Sequence, residues 1–173
     1  YECTNLTSVT FGENSVLESI DGQAFYGCTK LASISIPDSV TSISSYAFNG
    51  CTSLASVTFG ENSKLARISS YVFYGCTKLA SIMIPDSATS IGKHAFYSCS
   101  SLTSMTIGKG ITSMSDYAFE GCSAINKIYF NATEMNDVGI GSYLFYKAGS
   151  SSGADVVVGA NVMRIPEGLF CSN

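Results

Sequence analysis

The chain has 173 residues, of which 46% are hydrophobic and only 13% are charged, and its formal net charge is −4. No run of Lys or Arg provides the basic face that nucleic acid binding requires, so we expect no nucleic acid partner. No apolar stretch approaches the roughly 20 residues of a membrane helix, so we expect no membrane insertion by this segment.

A repeat of 23 to 26 residues runs along the chain. The string FYGCTKLASI stands at residues 25–34 and again, unchanged, at 73–82. Cysteines mark the same period, with successive spacings of 25, 23, 25, 23 and 23, at Cys3, Cys28, Cys51, Cys76, Cys99 and Cys122. Self-similarity at a fixed period of about 20 to 50 residues indicates stacked units, each covering the apolar face of the next.

The first half of each unit predicts a short β-strand. Two apolar positions lie two residues apart, which is the period of a strand, and mostly Ser or Thr residues flank them. The first inward position holds Val9, Ile34, Val57, Ile82, Met105, Ile128 and Val156. The second inward position holds Phe11, Ile36, Phe59, Ile84, Ile107, Phe130 and Val158. We therefore expect an apolar inner face and a hydroxyl-rich outer face.

The second half of each unit predicts a second short strand and an aromatic core row. An apolar residue recurs at Ile20, Ile43, Ile68, Ile91, Met114, Ile140 and Ile165. A row of phenylalanines follows at Phe25, Phe48, Phe73, Phe96, Phe119, Phe145 and Phe170. Three prolines and abundant Gly and Ser leave no segment with helical periodicity.

These patterns predict a mainly β fold for residues 1–173. We expect a single solenoid of about seven coils of 23–26 residues, with parallel strands on its long sides and no long helices. The two-residue difference between neighbouring units falls in the turn after the strand, where an insertion disturbs the stack least. Neither end carries a capping segment, so we expect this domain to be part of a longer protein.

The repeated motif resembles a known family. The string IPDSVTSISSYAFNGCTSLASV at residues 36–57 is similar to the BspA-like leucine-rich repeat family, and the resemblance covers all seven units. It implies a leucine-rich repeat solenoid. It also implies a secreted or cell-surface protein of host-associated bacteria or protists, acting in adhesion to host matrix or surface proteins or to glycans.

Two interpretations of the cysteine row remain open. Buried free thiols would pack as small apolar side chains, whereas coils about 4.8 Å apart also suit a disulfide between neighbours. Parallel side chains place the sulfur atoms side by side, which favours free thiols. No C-x-x-C pair provides zinc-ligand spacing, so we expect no metal site. Cys171 lies off the row and is the expected exposed thiol.

Two further rows form the first candidate binding surface. The position two before each Phe holds Gln23, Tyr46, Tyr71, His94, Tyr117, Tyr143 and Gly168. The position after each Phe holds Tyr26, Asn49, Tyr74, Tyr97, Glu120, Tyr146 and Cys171. Stacked coils would align each row, and Tyr suits both protein and sugar binding. The alternative is that each ring covers a turn and packs on its neighbour, with His94 as a stacking substitute for Tyr.

The hydroxyl-rich sheet face is the second candidate binding surface. It is represented by Ser33, Ser35, Ser56 and Thr58, and becomes less uniform at Met83, Lys127, Tyr129 and Val157. This flat, weakly charged face either docks a partner or only provides solubility. Beside it lies an acidic edge, at Glu13, Asp38, Glu61 and Asp86, followed by Lys109. We interpret this edge as solvated, because no Asp-rich calcium loop is present.

No catalytic constellation is evident. The chain has a single His and neither a P-loop nor a dinucleotide-binding fingerprint, so we expect no enzymatic activity and no cofactor. Two functions stay open: an adhesin module that binds host protein or glycan, and a structural spacer that displays other domains without a ligand of its own. The identity of the ligand and the oligomeric state are not determined by the sequence.

Overall fold

A computed structural model describes residues 2–139 and 141–170 of the chain. Within these residues the chain forms a solenoid of parallel β-strands, and nothing forms a helix that is long and apolar enough to span a membrane. The predicted mainly β solenoid is therefore confirmed. Two positions that carried a prediction, Ile140 and Cys171, lie outside the described residues.

Eleven strands, numbered in chain order, form two sheets in the described chain. The long sheet contains β2 (Ser33–Ile36), β4 (Ser56–Phe59), β6 (Ser81–Met83), β8 (Ser104–Ile107), β10 (Lys127–Phe130) and β11 (Asp155–Val158). Neighbouring strands are parallel, and equivalent positions of the repeat lie opposite each other. Ile34 is thus opposite Val57, and Met105 is opposite Ile128. Side chains alternate between the core and the outer face, as the period of two predicts.

The short sheet lies on the other long side of the coils. It contains β1 (Ser19–Ile20), β3 (Ser42–Ile43), β5 (Arg67–Ile68), β7 (Ser90–Ile91) and β9 (Ser113–Met114). Each strand has only two residues, and its second residue turns a buried apolar side chain toward the core. The second strand that the repeat predicts is therefore confirmed in five coils.

The core is a set of straight rows, each built from one side chain per coil. Phe48, Phe73, Phe96 and Phe119 are fully buried, and consecutive rings from Phe25 to Phe145 stack with centroids 5.1 to 5.4 Å apart. The stacking follows from repetition, since identical residues in consecutive coils are related by one translation along the solenoid. Burial of these rings and of the aliphatic rows contributes roughly 25 cal/mol for each Å² of apolar surface removed from water.

The turn that carries the phenylalanine also stacks by backbone hydrogen bonds between coils. Phe48 N donates to Val72 O at 2.9 Å, and Phe73 N donates to Ala95 O at 2.8 Å. The glycine of the F-x-G-C motif has a positive φ, +70° at Gly75, which costs a glycine nothing. Two other coils place Ser98 and Lys147 in this position, with φ angles of +55° and +53°.

The first and last coils depart from the prediction. No strand forms at Val9 and Phe11, which are only half-buried. Strand β11 forms, yet its inward residues Val156 and Val158 are 39% and 46% exposed, and Ile165 is 43% exposed. The reason is that β11 lies at the edge of the long sheet and no described coil covers its outer side. At this end of the long sheet, burial of the inward positions therefore depends on a covering coil.

Candidate binding surfaces

The structure brings one predicted row together as a continuous aromatic ladder. We use this name for Tyr46, Tyr71, His94, Tyr117 and Tyr143. The first four members each follow the last residue of a short-sheet strand by three positions. Consecutive ring centroids lie 4.8, 5.2, 5.2 and 5.5 Å apart, and three of the four ring pairs are nearly parallel.

Stacking limits what the aromatic ladder offers to a ligand. The faces of the interior rings, from Tyr71 to Tyr117, contact the faces of their neighbours. A sugar or a cation that binds a ring face therefore finds these faces covered, and only ring edges and hydroxyl groups point outward. This geometry agrees with the packing interpretation for the interior rings, while a binding role for the ladder edge stays a prediction.

The backbone of the aromatic ladder is in the left-handed region. The φ angles are +62° at Tyr46, +61° at Tyr71, +52° at His94, +59° at Tyr117 and +48° at Tyr143. This conformation costs roughly 1–2 kcal/mol for a residue with a side chain. Each stacked pair contributes about 0.5–1.5 kcal/mol, so ring stacking offsets much of that cost. Gly168 has the same place in a later coil, with a φ of +75° and no ring.

His94 is a neutral ring within the aromatic ladder. Its Nδ1 is buried without a hydrogen-bond partner and lies 3.9 Å from Glu120 Oε2. Burial lowers the pKa of His94 below its ordinary 6.5, and the charge of Lys93 lowers it further, while Glu120 and Asp116 oppose this shift. His94 is consequently uncharged at pH 7. The geometry agrees with its predicted role as a stacking substitute.

The second predicted row does not form a continuous stripe in the described chain. Tyr74 and Tyr97 stack at 4.6 Å and contact the aromatic ladder at Tyr71 and His94. Burial raises the pKa of the Tyr74 hydroxyl, with a further contribution from Tyr97. Asn49 and Glu120 interrupt the row on either side of this pair, as the sequence shows. The pair therefore supports the ladder instead of extending a second surface.

The cysteine row consists of free thiols, which confirms the favoured interpretation. Five members are buried, but Cys3 is exposed. Four of the buried Sγ atoms, those of Cys51, Cys76, Cys99 and Cys122, donate to the carbonyl of a phenylalanine in the preceding coil, at 3.1 Å from Cys51 to Phe25. Burial raises the pKa of Cys51 to about 12 and the pKa of Cys76 well above its ordinary value. Such thiols pack in the core and are unsuited to nucleophilic catalysis.

The acidic edge is partly neutralised by an ion pair. Lys109 Nζ lies 2.9 Å from Asp86 Oδ2, and the Lys109 backbone N–H donates to Asp86 Oδ1 at 2.9 Å. These contacts lower the pKa of Asp86. In residues 2–139 and 141–170, no group of three or more His, Cys, Asp or Glu side chains is placed to hold a metal ion.

The segment GSSSG at residues 149–153 matches the nucleophile motif G-x-S-x-G letter by letter. That motif requires a strand, a tight turn and a helix around the serine. Here Ser150 Oγ donates to Gly153 O at 2.7 Å, the segment closes as a small bridged loop, and strand β11 follows. The local structure is therefore not that of a nucleophilic serine.

The predicted sheet-face residues lie in register on the outer face of the long sheet. Ser33 is opposite Ser56, Ser35 is opposite Thr58, and all four side chains are exposed. They belong to the strands of the long sheet, whereas the aromatic ladder follows the strands of the short sheet. The two candidate surfaces are therefore separate, and one compact ligand does not bridge them.

A cluster of apolar side chains lies on the same outer face. Met83 is 68% exposed, Tyr129 is 38% exposed and Val157 is 41% exposed. Registers place these side chains in one outward row with Thr106, and we call this row the sheet-face patch. Lys127 Nζ lies 5.7 Å from the centre of the Tyr129 ring. The sequence showed each residue as a departure from Ser or Thr, but the register was needed to show that they share one row.

Comparison with known proteins agrees with this architecture. The family described as BspA type leucine rich repeat region matches the chain in six copies over residues 1–65 and 62–173. No curated protein matches the chain at a significant level.

Several solved structures share the fold. The crystal structure of a T. pallidum leucine-rich repeat protein is 26% identical with a TM-score of 0.70, over 88% of this chain and 72% of that protein. A leucine-rich repeat protein from Bacteroides ovatus is 29% identical with a TM-score of 0.58, over 75% of this chain and 40% of that one. The pneumococcal vaccine antigen PcpA has the same fold at 20% identity and a TM-score of 0.58, over 90% of this chain and 46% of that one.

The chain thus spans about three-quarters of the treponemal protein and under half of the other two. The repeat motif, the solenoid and the family match extend over the same residues. The chain belongs to the BspA-type leucine-rich repeat family.

Proposed function

We propose that this chain is a non-enzymatic binding module of a cell-surface or secreted protein, and that it binds a host matrix or surface protein through the outer face of the long sheet. The observation that carries the proposal is the sheet-face patch. Three large apolar or aromatic side chains are exposed in one row, with Thr106 between Met83 and the adjacent pair Tyr129 and Val157, although the equivalent positions of the other long-sheet strands hold Ser or Thr.

The composition of the sheet-face patch suits contact with a protein. Tyr and Met are enriched in protein interfaces, and a thioether side chain adapts its shape to a partner. The row runs over four adjacent strands, which corresponds to about 14 Å at the usual strand spacing. Lys127 and Asp155 lie opposite each other beside it and provide a polar rim with no net charge. A partner with its own exposed apolar side chains is therefore favoured over a charged polymer.

A binding screen with two matched variants tests this proposal. The folded chain is immobilised against a panel of matrix and cell-surface proteins. The patch variant carries Met83→Thr and Tyr129→Thr, residues that the same outward row already accepts at Thr58 and Thr106. The ladder variant carries Tyr71→Ser, His94→Ser and Tyr117→Ser. Circular dichroism and thermal melting establish that each variant is folded.

We expect saturable binding that the patch variant loses by about tenfold or more, as for removal of a central aromatic anchor. Binding that is lost only in the ladder variant would move the site to the aromatic ladder. An absence of binding to every protein of the panel at micromolar concentrations would contradict the proposal.

A structural spacer is the alternative function, and the aromatic ladder favours it. The ladder rings cover one another, and the outer face of β2 and β4 carries only short hydroxyl side chains. Regular stacking without an exposed anchor is what a stalk needs. In the screen described above, the spacer predicts that neither variant changes any interaction.

A further inference from the structure

A groove runs along the outer side of the short sheet. It is shallow and open to solvent, has a volume of about 470 Å³ and takes its lining from four successive coils. Its hydroxyl groups come from Ser45, Ser69, Ser70, Ser90, Ser113 and Ser115. The only charged side chain in the lining belongs to Arg67, and no carboxylate is among the lining residues. We call this surface the serine groove.

The hydroxyl groups of the serine groove are not used by the fold. Elsewhere, hydroxyl groups bridge neighbouring coils: Thr89 Oγ1 donates to Ala66 O at 3.0 Å, and Thr112 Oγ1 donates to Thr89 O at 3.1 Å. Within the part of the chain that the structure describes, the side chains of the six groove serines make no such bond. These donors are available to a ligand.

Arg67 breaks the repeat at the centre of the groove. In the short sheet it lies between Ser42 and Ser90, and Ser113 comes next, so every neighbouring coil has Ser at this position. Its guanidinium makes no hydrogen bond or ion pair with the described residues. An arginine is always charged and presents a rigid fork of donors that matches carboxylate and sulfate groups.

From this arrangement we infer that the serine groove binds an acidic oligosaccharide, with a carboxylate or sulfate group on Arg67 and sugar hydroxyls on the serines. The lining provides many hydroxyls and one cation, which complements a ligand that has many hydroxyls and an anionic group. Four coils extend about 14 Å along the stack, which exceeds the size of a single free anion. The inference goes beyond the proposed function, since it concerns another face and another class of ligand.

The charge distribution argues for a local contact at Arg67. The chain has a net charge of −4, so general attraction of a polyanion is unfavourable. Lys93 follows the lining residue Gly92, with its Nζ 5.9 Å from the Tyr117 ring, and Asp116 follows Ser115 at the far end. An anionic ligand is consequently favoured near Arg67 and disfavoured near Asp116.

Binding to three polysaccharides tests the inference. Immobilised heparin presents sulfate groups together with carboxylates, polysialic acid presents carboxylates without sulfate, and dextran is neutral. The folded chain is compared with two variants at about 0.15 M salt, where surface charges are screened beyond roughly 8 Å. Arg67→Ser restores the residue of the neighbouring coils. Lys78→Ser makes the same change in net charge in an exposed turn outside the groove.

We expect saturable binding to heparin, to polysialic acid or to both, with no binding to dextran. Arg67→Ser should weaken this binding about tenfold or more, as for loss of a charge-assisted hydrogen bond, whereas Lys78→Ser should change it less than about twofold. Binding to heparin alone would assign the anionic group as sulfate, and binding to polysialic acid alone would assign it as carboxylate.

Three results would overturn the inference: no binding to either acidic polysaccharide, equal binding to dextran, or equal weakening by Arg67→Ser and Lys78→Ser. The patch variant with Met83→Thr and Tyr129→Thr should bind the polysaccharides as the unchanged chain does. This control separates failure of the serine groove from failure of the sheet-face patch.

Discussion

Two aromatic rows run through this protein two residues apart in the sequence, and their geometry is nearly the same. In the phenylalanine row, Phe48 and Phe73 stack at 5.4 Å with an angle of 9° between the rings. In the aromatic ladder, Tyr46 and Tyr71 stack at 4.8 Å with an angle of 2°. The first pair is fully buried, whereas Tyr46 is 36% exposed. Stacking is thus a consequence of the repeat, and burial decides whether a row is core.

The backbones of the two rows also differ. The ladder residues have positive φ angles, while no phenylalanine of the described row does. A core row combines burial with an unstrained backbone, so its contribution to stability is large. The aromatic ladder combines partial exposure with a strained backbone, so its contribution is small. The following predictions test this difference, starting with the largest effect.

Truncation of a core ring should destabilise the protein strongly. Phe96→Ala removes a ring that is fully buried between Phe73 and Phe119. We expect a loss of about 3–5 kcal/mol in the free energy of unfolding, the usual cost of a buried aromatic truncation. Chemical denaturation measures this loss. An unchanged unfolding midpoint would show that the phenylalanine row is not the core.

In the aromatic ladder we expect a smaller loss of stability than in the core. There the glycine variant should also be more stable than the alanine variant, which is the reverse of the usual order. Tyr71→Ala loses two stacking contacts worth about 1–3 kcal/mol together and keeps the left-handed backbone. Tyr71→Gly loses the same contacts but relieves the backbone, so it should be the more stable variant by about 0.5–1 kcal/mol.

The strand position Thr58 is the control for this order. There, the φ angle is not positive, and glycine should be less stable than alanine because it gains more conformational entropy on unfolding. The same order of alanine and glycine at both positions would contradict the assigned strain in the ladder.

The smallest expected effect is a pH dependence caused by His94. The pKa of His94 is lowered in the folded chain, so the unfolded chain binds its proton more readily. Stability should therefore be complete above about pH 6.5 and fall as the pH decreases below that value. His94→Tyr places the ladder's usual residue there and removes this titration.

Thermal melting of both proteins between pH 7.5 and 5.5 measures the difference. The unchanged chain should lose more stability on acidification than the His94→Tyr variant. Asp86, whose pKa is lowered, titrates at a more acidic pH and is present in both proteins. Identical pH profiles would indicate that His94 has an ordinary pKa.

Much of the fold could be predicted because the same residue types recur at the same position of successive repeat units. A position that holds an aliphatic residue in every coil, such as Ile43 and Ile68, faces the core in every coil where both neighbours exist. The prediction was wrong at Val156 and Val158, which have suitable residues but lack a covering coil. Periodicity identifies the residue for a core position, but whether that residue is buried depends on what packs against it.

The candidate surfaces were predicted less completely. The sequence placed Tyr71 and His94 in one row, and the structure brings them together. The sequence did not show that the ring faces of the aromatic ladder are covered or that its backbone is left-handed, because both depend on the spacing of the coils. Nothing in the sequence was a reason to select Arg67 as a site residue. Only strand pairing in the short sheet places it beside serines whose hydroxyl groups make no hydrogen bond with the described residues.

For this protein, the amino-acid sequence alone determined the length of the coil, the residues of each core row, the thiol state favoured for the cysteines and the family. These properties follow from local periodicity and side-chain type, which are identical in successive units. The tertiary structure alone decided which rings remain exposed and which hydroxyl groups make no hydrogen bond. It also decided which residues that depart from the repeat lie in the same row. These depend on the register between coils, where residues about 23 positions apart in the sequence come within about 5 Å of each other.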